Sequence, residues 1–523
     1  MVKEVILGEA KKNNVSGQKK AEKWEGVKRV DKFAPACYYQ DSSNLKSGES
    51  KDCLYLNVFV PGDGSLKPKD GFPVLFFIHG GAYIYESAEH YGSDTVAELL
   101  PTQDIIVVTF NYRLGVLGFY SNGNESAPGN QGLWDMAEAL HWTYNNIKAL
   151  GGDPNRITVA GHSAGSMSAE ILSLSPVTSH MVYQVYLMSG TNDFQWEPVT
   201  PQLVYDSIFD MATVYFLSYK GSKSDSDAFT DFLISQNPEN LHVRYSKNGE
   251  AKEVFIWPVY DGHLIPEKIA VLRQTTKRRP TLVGCTRYEG MLLIDNPDFK
   301  KAALQVVARH VLKQEDYKET KHESTANNIL NRFSNENSFN ETQEYRQHYM
   351  ELMSDIFFNT GIYRYVMQHT STSEKPIYVY RFDYYYSKYQ KSKERLLDGS
   401  THGDDIPFVL GQFNIKGDEY NYEDTVARKQ FSKFIANFVK YGRPNGPVDI
   451  GNRGVEEWPP VDLQSKKLNH MVYNYYDNHM SDNWFEERHF EWIKIRKEYQ
   501  SYSTSAGYGR FVGLMLLLLW LGW

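Results

Sequence analysis

The chain has 523 residues, with 56 basic against 64 acidic side chains and a net charge of −8. This length suits one large α/β domain with insertions, and the absence of a basic block argues against nucleic acid as a partner. The sequence contains no CxxC, HExxH or GxGxxG motif. We therefore expect neither a metal site nor a cofactor.

The N-terminal segment differs from the rest of the chain. Residues 1–23 are polar and rich in lysine, and they lack the long apolar core of a secretion signal. From Lys51 onward, apolar runs predict strands at DCLYLNVFVP, PVLFFIHGGAY, DIIVVTFNYRLG, ITVAG, YQVYLMSG, PTLVGCTRYEG and PIYVYRFDY. Because several of these runs are apolar on both faces, we expect a sheet covered by helices on both sides.

Helical patterns separate the predicted strands. GLWDMAEALHWTYNNIKALGGDP and EDTVARKQFSKFIANFVKYGRP carry apolar residues at helical spacing and end at glycine. The alternation predicts an α/β fold with a mixed, mainly parallel central sheet. The stretch from about Trp196 to Arg279 is poorly periodic, and we interpret it as inserted helices that form a cap over the site.

The chain ends in an uncharged segment, FVGLMLLLLWLGW. It is too short to span a bilayer, which needs about 20 apolar residues. With the small, polar residues before it, this segment resembles a lipid-anchor attachment signal, and membrane attachment through it is one prediction. A terminal helix docked on the domain, or a translated artefact, is the alternative. We assign residues 491–523 to this C-terminal tail.

The stretch ITVAGHSAGSMSAEIL indicates a strand, a sharp turn and a helix, with Ser163 in the turn. Gly161 and Gly165 allow the bend and the close passage of the helix that a nucleophile elbow requires. A serine nucleophile needs a base, and that base needs a carboxylate to orient it. Glu289 and His402 each follow a later predicted strand, in the serine–acid–histidine order of this fold.

Backbone donors for an oxyanion are predicted from a second loop. Gly81 and Ala82 follow the PVLFFI strand, and Ala164 follows the serine. Their N–H groups could stabilise a tetrahedral intermediate. An ordinary glycine turn at the end of a strand is the alternative, but together with the serine, the acid and the histidine this loop favours acyl transfer.

With these motifs, the chain resembles the type-B carboxylesterases of the α/β-hydrolase superfamily, a group that includes the cholinesterases. The similarity runs from about Trp24 to Trp484 and rests on KDCLYLNVFVP, NYRLGVLGF, PGNQGLWDM, NNIKALGGDP, ITVAGHSAG, LMSG and FVKYGRPN, in the family's order. It implies one α/β-hydrolase domain, which we place at residues 24–490. It also implies the site residues: Ser163 as nucleophile, Glu289 as acid, His402 as general base, and Gly81, Ala82 and Ala164 as the oxyanion hole.

The cysteines bear on the compartment. A bridge between Cys37 and Cys53 would close a short loop and would favour an oxidising environment, and the resemblance implies this disulfide. Cys285 ends an apolar run and is interpreted as a buried hydrophobe. Sequons for a glycoprotein occur at Asn14, Asn124 and Asn340. We expect an enzyme of the secretory pathway, secreted or lipid-anchored, with a cytoplasmic enzyme as the alternative.

The chain departs from the family pattern in four places, and we attach no consequence to one of them, Asp404 in place of glutamate after the HG pair. Family members begin with a secretion signal, a small strand pair and a proline-rich segment, which are not evident before Trp24, so we expect a truncated or wrongly started chain. The loop between Cys37 and Cys53 has no tryptophan, the residue that holds the cation in cholinesterases. His162 stands where the family commonly has glutamate, a change that we do not expect to abolish activity.

The leading hypothesis is a serine esterase that cleaves small carboxylic esters. The alternatives are a non-catalytic, cholinesterase-like adhesion or binding module and, third, a true cholinesterase.

Overall fold

The computed structural model describes residues 2–6, 8–9, 19–20, 26, 30–39, 45–62, 68–193, 196–213, 219–241, 256–290, 343–370, 375–385, 399–411, 420–447, 457–462 and 468–484. The C-terminal tail that the sequence predicts, with its apolar segment, lies outside these residues.

The strands, numbered in chain order, are β1 Val2–Ile6, β2 Gly8–Glu9, β3 Lys19–Lys20, β4 Tyr55–Phe59, β5 Phe72–Ile78, β6 Ile106–Phe110, β7 Gly152–His162, β8 Gln184–Met188, β9 Thr281–Thr286, β10 Ile377–Phe382, β11 His470–Tyr473 and β12 His479–Ser481. Ten of them form one sheet in the order β1-β4-β6-β5-β7-β8-β9-β10-β11-β12. From β6 through β11 in this order neighbouring strands are parallel, and the pairs β1–β4, β4–β6 and β11–β12 are antiparallel. The prediction of a mixed, mostly parallel sheet is confirmed.

The α-helices are α1 Ser93–Glu98, α2 Gly115–Phe119, α3 Gln131–Asn146, α4 Ala164–Leu174, α5 Pro201–Met211, α6 Ser226–Ser235, α7 Ile269–Thr275, α8 Gln343–Ser354, α9 Thr360–Thr370, α10 Pro407–Leu410 and α11 Tyr422–Tyr441. A π-helical turn, Asp355–Asn359, connects α8 to α9. Within the ranges given above, no helix combines the length and the apolar character that crossing a bilayer requires.

The two faces of the sheet bury separate hydrophobic clusters because side chains alternate along each strand. On β5, Phe76 packs in one cluster with Leu140 of α3, whereas Phe77 packs in the other with Phe431 of α11. Helices therefore cover both faces, as the apolar runs predict.

Local signals end the long helices where the sequence indicates. The side chain of Asn421 accepts a hydrogen bond of 2.7 Å from the N–H of Asp424 and caps α11. Gly442, at φ 71°, ends that helix in the left-handed region. Gly151, at φ 98°, ends the 3-10 turn that follows α3. Predicted helix ends and observed ones therefore agree closely.

The N-terminal strands correct one expectation. β2 and β3 form an antiparallel pair, whereas the sequence predicts no such pair before Trp24. β1 adds an edge strand to the main sheet, with Val2 opposite Phe59. An edge strand pairs through its backbone and needs no continuous apolar run. For this reason the polar N-terminal sequence did not predict β1.

The stretch between Trp196 and Arg279 contains α5, α6 and α7. Asp225 caps α6 by accepting a hydrogen bond of 3.0 Å from the N–H of Ala228. The helices predicted here are present, and their role as a cap over the site stays a prediction.

A disulfide joins Cys37 to Cys53, 16 residues apart, and both cysteines are buried. Because a covalent loop of this size restricts the unfolded chain, the double variant Cys37→Ala/Cys53→Ala should lower the free energy of unfolding by about 3 kcal/mol. Urea titration measures the difference. Reducing agent should destabilise the wild type and leave the double variant unchanged. Equal stability of the two proteins would contradict this account.

Candidate active site

Ser163 lies in the turn between β7 and α4 in a strained conformation. Its φ of 55° and ψ of −123° are rare for a residue with a side chain. The N–H of Ser163 donates to the carbonyl of Met188 at 2.8 Å, and the N–H of Met167 donates to the carbonyl of Ser163 at 3.1 Å. Bonds to β8 on one side and to α4 on the other therefore stabilise the strained turn.

Glycines at both sides of the serine permit close packing. A Cβ added to Gly161 would lie 2.2 Å from the carbonyl oxygen of Gly165. A Cβ added to Gly165 would lie 2.2 Å from the carbonyl oxygen of Ile78, the last residue of β5. The start of α4 thus packs against backbone, where a side chain has no space.

The variant Gly165→Ala tests this packing. We expect it to destabilise the fold by about 1–3 kcal/mol, because two backbone segments must separate to admit the methyl group. Thermal unfolding measures the change. Gly361→Ala in α9 is the matched control, since its added Cβ meets no atom closer than 3.2 Å. A stability loss of similar size in both variants would contradict the steric explanation.

Glu289 and His402 come together although 113 residues separate them. The Nδ1 atom of His402 lies 2.5 Å from Oε2 of Glu289. The other oxygen, Oε1, accepts hydrogen bonds of 2.6 Å from Oγ of Ser189 and from the N–H of Thr286. Since Glu289 is fully buried, these donors fix the orientation of its carboxylate. A bond at Nδ1 leaves the Nε2 atom of His402 as the nitrogen that can accept a proton.

The loops that carry Glu289 and His402 are joined by backbone contacts. Tyr288 and Thr401 form an isolated parallel bridge, and the N–H of Tyr288 donates to the carbonyl of Ser400 at 2.9 Å. These contacts involve the residues directly before each of the two side chains. The bridge therefore explains how two distant segments present one acid–base pair.

His402 also packs against the serine turn. Its ring centroid lies 4.4 Å from that of His162, which directly precedes Ser163, and 4.8 Å from that of Phe358 in the π-helical turn. Burial lowers the pKa of His162 well below its usual value, and the charge of His402 acts in the same direction. His162 is therefore a neutral neighbour of the candidate base.

The loop with the predicted oxyanion donors packs against the same turn. A Cβ added to Gly80 would lie 3.3 Å from the Cβ of Ser163. The following residues, Gly81, Ala82 and Tyr83, have φ values of 85°, 51° and 64°. Such a left-handed run turns successive N–H groups toward one side of the backbone, an arrangement that binds anions. Ala164 is the first residue of α4, where helix N–H groups lack intrahelical partners.

Comparison with known proteins identifies the family of this chain. The profile of the carboxylesterase family matches residues 17–492. The chain belongs to the carboxylesterase family. It is 29% identical over 448 residues to Esterase cest-33 of Caenorhabditis elegans, which covers 81% of this chain and 77% of that protein. It is 28% identical over 473 residues to Gut esterase 1 of Caenorhabditis briggsae (84% and 79% covered) and 28% over 483 residues to Liver carboxylesterase of Sus scrofa (86% and 80%).

Membership identifies the chain as a carboxylic ester hydrolase with the α/β-hydrolase fold. The domain boundaries that the sequence predicts, at residues 24 and 490, stay predictions. The roles predicted for the individual site residues also stay predictions.

Two supporting groups of the candidate site were not predicted from the sequence. Ser189 donates to Glu289, as described, and the hydroxyl of Tyr112 donates to the carbonyl oxygens of His79 and Gly80, each at 3.0 Å. Ser189 directly follows β8, in YLMSG, and Tyr112 lies two residues after the end of β6, in FNYR. Position after a strand is thus the one sequence signal that could have indicated them.

Asp405 is a second buried carboxyl near the acid–base pair. Its Oδ2 accepts a hydrogen bond of 2.7 Å from the hydroxyl of Tyr380. Burial raises the pKa of Asp405 to about 7, and the charge of Glu289 acts in the same direction.

Among the residues with described side chains, no group of three or more histidine, cysteine, aspartate or glutamate residues could hold a metal ion.

Proposed function

We propose that this esterase hydrolyses small carboxylic esters through an acyl-enzyme intermediate, with Ser163 as nucleophile, His402 as general base and Glu289 as the acid that orients it. The observation that carries the proposal is the buried contact between Glu289 and His402, next to the turn that holds Ser163.

The reaction follows from the chemistry of these groups. Nε2 of His402 takes the hydroxyl proton while Oγ of Ser163 attacks the ester carbonyl, and the carboxylate of Glu289 stabilises the imidazolium that forms. Collapse of the tetrahedral intermediate expels the alcohol, which receives the proton from His402. Water then attacks the acyl-serine with the same base, releases the carboxylic acid and restores the serine.

The developing oxyanion needs donors that are already in place. We propose the N–H groups of Gly81, Ala82 and Ala164 for this role. The left-handed backbone of Gly81 and Ala82 supports it, as does the first turn of α4, which has no side-chain cap. Each such donor contributes roughly 3 kcal/mol to transition-state stabilisation, because it interacts more strongly with the oxyanion than with the ester carbonyl.

A fluorophosphonate probe tests the proposal directly. It should label the purified protein, and the modified peptide should contain Ser163. The protein should also hydrolyse a short-chain nitrophenyl ester, and prior labelling should abolish that hydrolysis. Heat-denatured protein is the control and should not react.

Two outcomes would overturn the proposal. Labelling at another serine would remove the assignment of Ser163, and folded protein without labelling or hydrolysis would favour the non-catalytic adhesion or binding module. Acetylthiocholine hydrolysis faster than that of simple esters would favour a cholinesterase.

We further propose that the enzyme acts in the secretory pathway. The disulfide between Cys37 and Cys53 supports this compartment, since such bonds persist under oxidising conditions. Attachment to a membrane through residues 491–523 is part of the same proposal.

A further inference from the structure

We propose that Glu86 is a positioning residue that holds the oxyanion loop, residues 80–86, through hydrogen bonds to the hydroxyl of Tyr91 and to the backbone of Gly80. The inference rests on the proposed function, because it assigns a role to a residue next to the proposed oxyanion donors.

The backbone of Glu86 is in a conformation that usually requires glycine. Its φ is 90°, and its side chain is 1% exposed. A strained residue persists only where its surroundings determine it, and such residues concentrate at functional sites. Glutamate at this position has two energetic costs, a strained backbone and a buried carboxyl group. A turn with a purely structural role requires neither of them.

The contacts of Glu86 lead back to the proposed donors. The hydroxyl of Tyr91 donates to Oε1 of Glu86, and Gly80 forms a backbone hydrogen bond with the carboxyl group. Gly80 directly precedes Gly81, which begins the left-handed run. Displacement of the Glu86 carboxyl would therefore shift the peptide that leads into the proposed donors.

A tight turn connects Gly81 with Glu86. The N–H groups of Ile84 and Tyr85 donate to the carbonyl of Gly81 at 2.8 and 3.1 Å. A Cβ added to Gly81 would lie 2.0 Å from the carbonyl oxygen of Tyr85. The turn is therefore tightly packed. The hydrogen bond between the Glu86 carboxyl and Gly80 connects the last residue of this compact loop to its first.

The charge of Glu86 decides how well the loop stabilises an oxyanion. Burial raises the pKa of Glu86 to about 8, and its partners are a hydroxyl and a peptide group. Above that pH, a carboxylate would lie in the low-dielectric interior beside the site where negative charge develops. The oxyanion of the transition state would then be repelled, so kcat should fall.

The other titratable groups around Glu86 do not change charge between pH 7 and 9. Tyr85, Tyr91 and Tyr112 interact with it, and burial raises the pKa of each of them. Burial lowers the pKa of His79, to about 3, and that of His90, so both flanking imidazoles are neutral there.

Two substitutions test the proposal, with hydrolysis of a nitrophenyl ester measured from pH 6 to 9.5. Glu86→Gln keeps the length and an acceptor oxygen but cannot ionise. The kcat of the wild type should fall above about pH 8, whereas the kcat of E86Q should not change in that pH range. Asp405, whose pKa burial raises to about 7, is present in both proteins and contributes equally. Glu86→Gly relieves the backbone strain and removes the carboxyl, and we expect about a tenfold lower kcat at pH 7 with KM nearly unchanged.

Stability gives a second readout. The pKa of Glu86 in the fold is about 8 against an ordinary value of 4.5, so its contribution to stability is complete below about pH 4.5 and is lost as the pH rises through 8. The difference in Tm between wild type and E86Q should therefore shift in favour of E86Q as the pH rises.

Glu89→Gln is the matched control, since Glu89 is only partly buried and accepts hydrogen bonds from the N–H groups of Lys46 and Ser47. It should follow the wild-type pH profile.

Superimposed pH profiles of wild type and E86Q, or a kcat of E86G within twofold of wild type, would overturn the role of Glu86. If E86G does not fold, the E86Q profile decides. A folded wild type without labelling or hydrolysis would instead overturn the proposed function itself.

Discussion

Replacement of Ser163 with alanine should lower kcat/KM for a carboxylic ester by about 10⁴- to 10⁶-fold, because the acyl-enzyme can no longer form. The remaining rate should come from the oxyanion donors and from substrate binding alone. Alanine also removes a hydroxyl from a position at φ 55°, and we expect little change in stability since the backbone bonds of the turn remain. Nitrophenyl ester hydrolysis and fluorophosphonate labelling measure the loss.

Ser173→Ala is the control for this experiment. Ser173 lies in α4, the helix that follows Ser163, and its Oγ donates to the carbonyl of Glu170 at 2.8 Å. This variant should keep both hydrolysis and labelling. Survival of labelling in Ser163→Ala, with hydrolysis near the wild-type level, would exclude Ser163 as the nucleophile.

The variant Glu289→Gln should lower kcat by about 10⁴-fold with a small effect on KM, because it imposes the wrong histidine tautomer. Oε1 of Glu289 accepts hydrogen bonds from Ser189 and Thr286, so the amide oxygen of glutamine should occupy that position. The amide nitrogen then faces Nδ1 of His402 and donates to it. The ring must carry its proton on Nε2, where it cannot accept the proton of the serine.

Steady-state kinetics with a nitrophenyl ester checks this effect. Glu351→Gln is the matched control, since it makes the same change in a partly buried carboxylate of α8. It should keep the wild-type kcat. A kcat of Glu289→Gln within tenfold of the wild type would contradict the proposed orientation of the base.

Much of this site could be predicted from the sequence because its signals are local. A glycine on each side of Ser163, an apolar strand before it and small residues after it are enough to indicate a sharp strand–turn–helix junction. Glu289 and His402 could be predicted as candidates because each follows an apolar run. Their contact could not, since it depends on β9 and β10 being neighbours in the sheet and on the bridge between Tyr288 and Thr401.

Other features had no local signal. The strand pair β2–β3 and the edge strand β1 are made by backbone pairing, which polar residues allow as well as apolar ones. Glu86 reads as an ordinary surface glutamate, because neither its left-handed backbone nor its burial is visible in the letters around it. Ser189 follows a predicted strand, but its hydrogen bond to Glu289, which spans 100 residues, cannot be seen in the local sequence.

The sequence by itself therefore determined the α/β class, the order of the main strands and the turn that holds Ser163, because hydrophobic periodicity and glycine conformation act over a few residues. Only the tertiary structure decided which carboxylate faces His402, how the residue 80–86 loop packs against the serine turn, and that Glu86 is buried. Those contacts join segments far apart in the chain, and their energies depend on burial and distance, which exist only once the sheet has assembled.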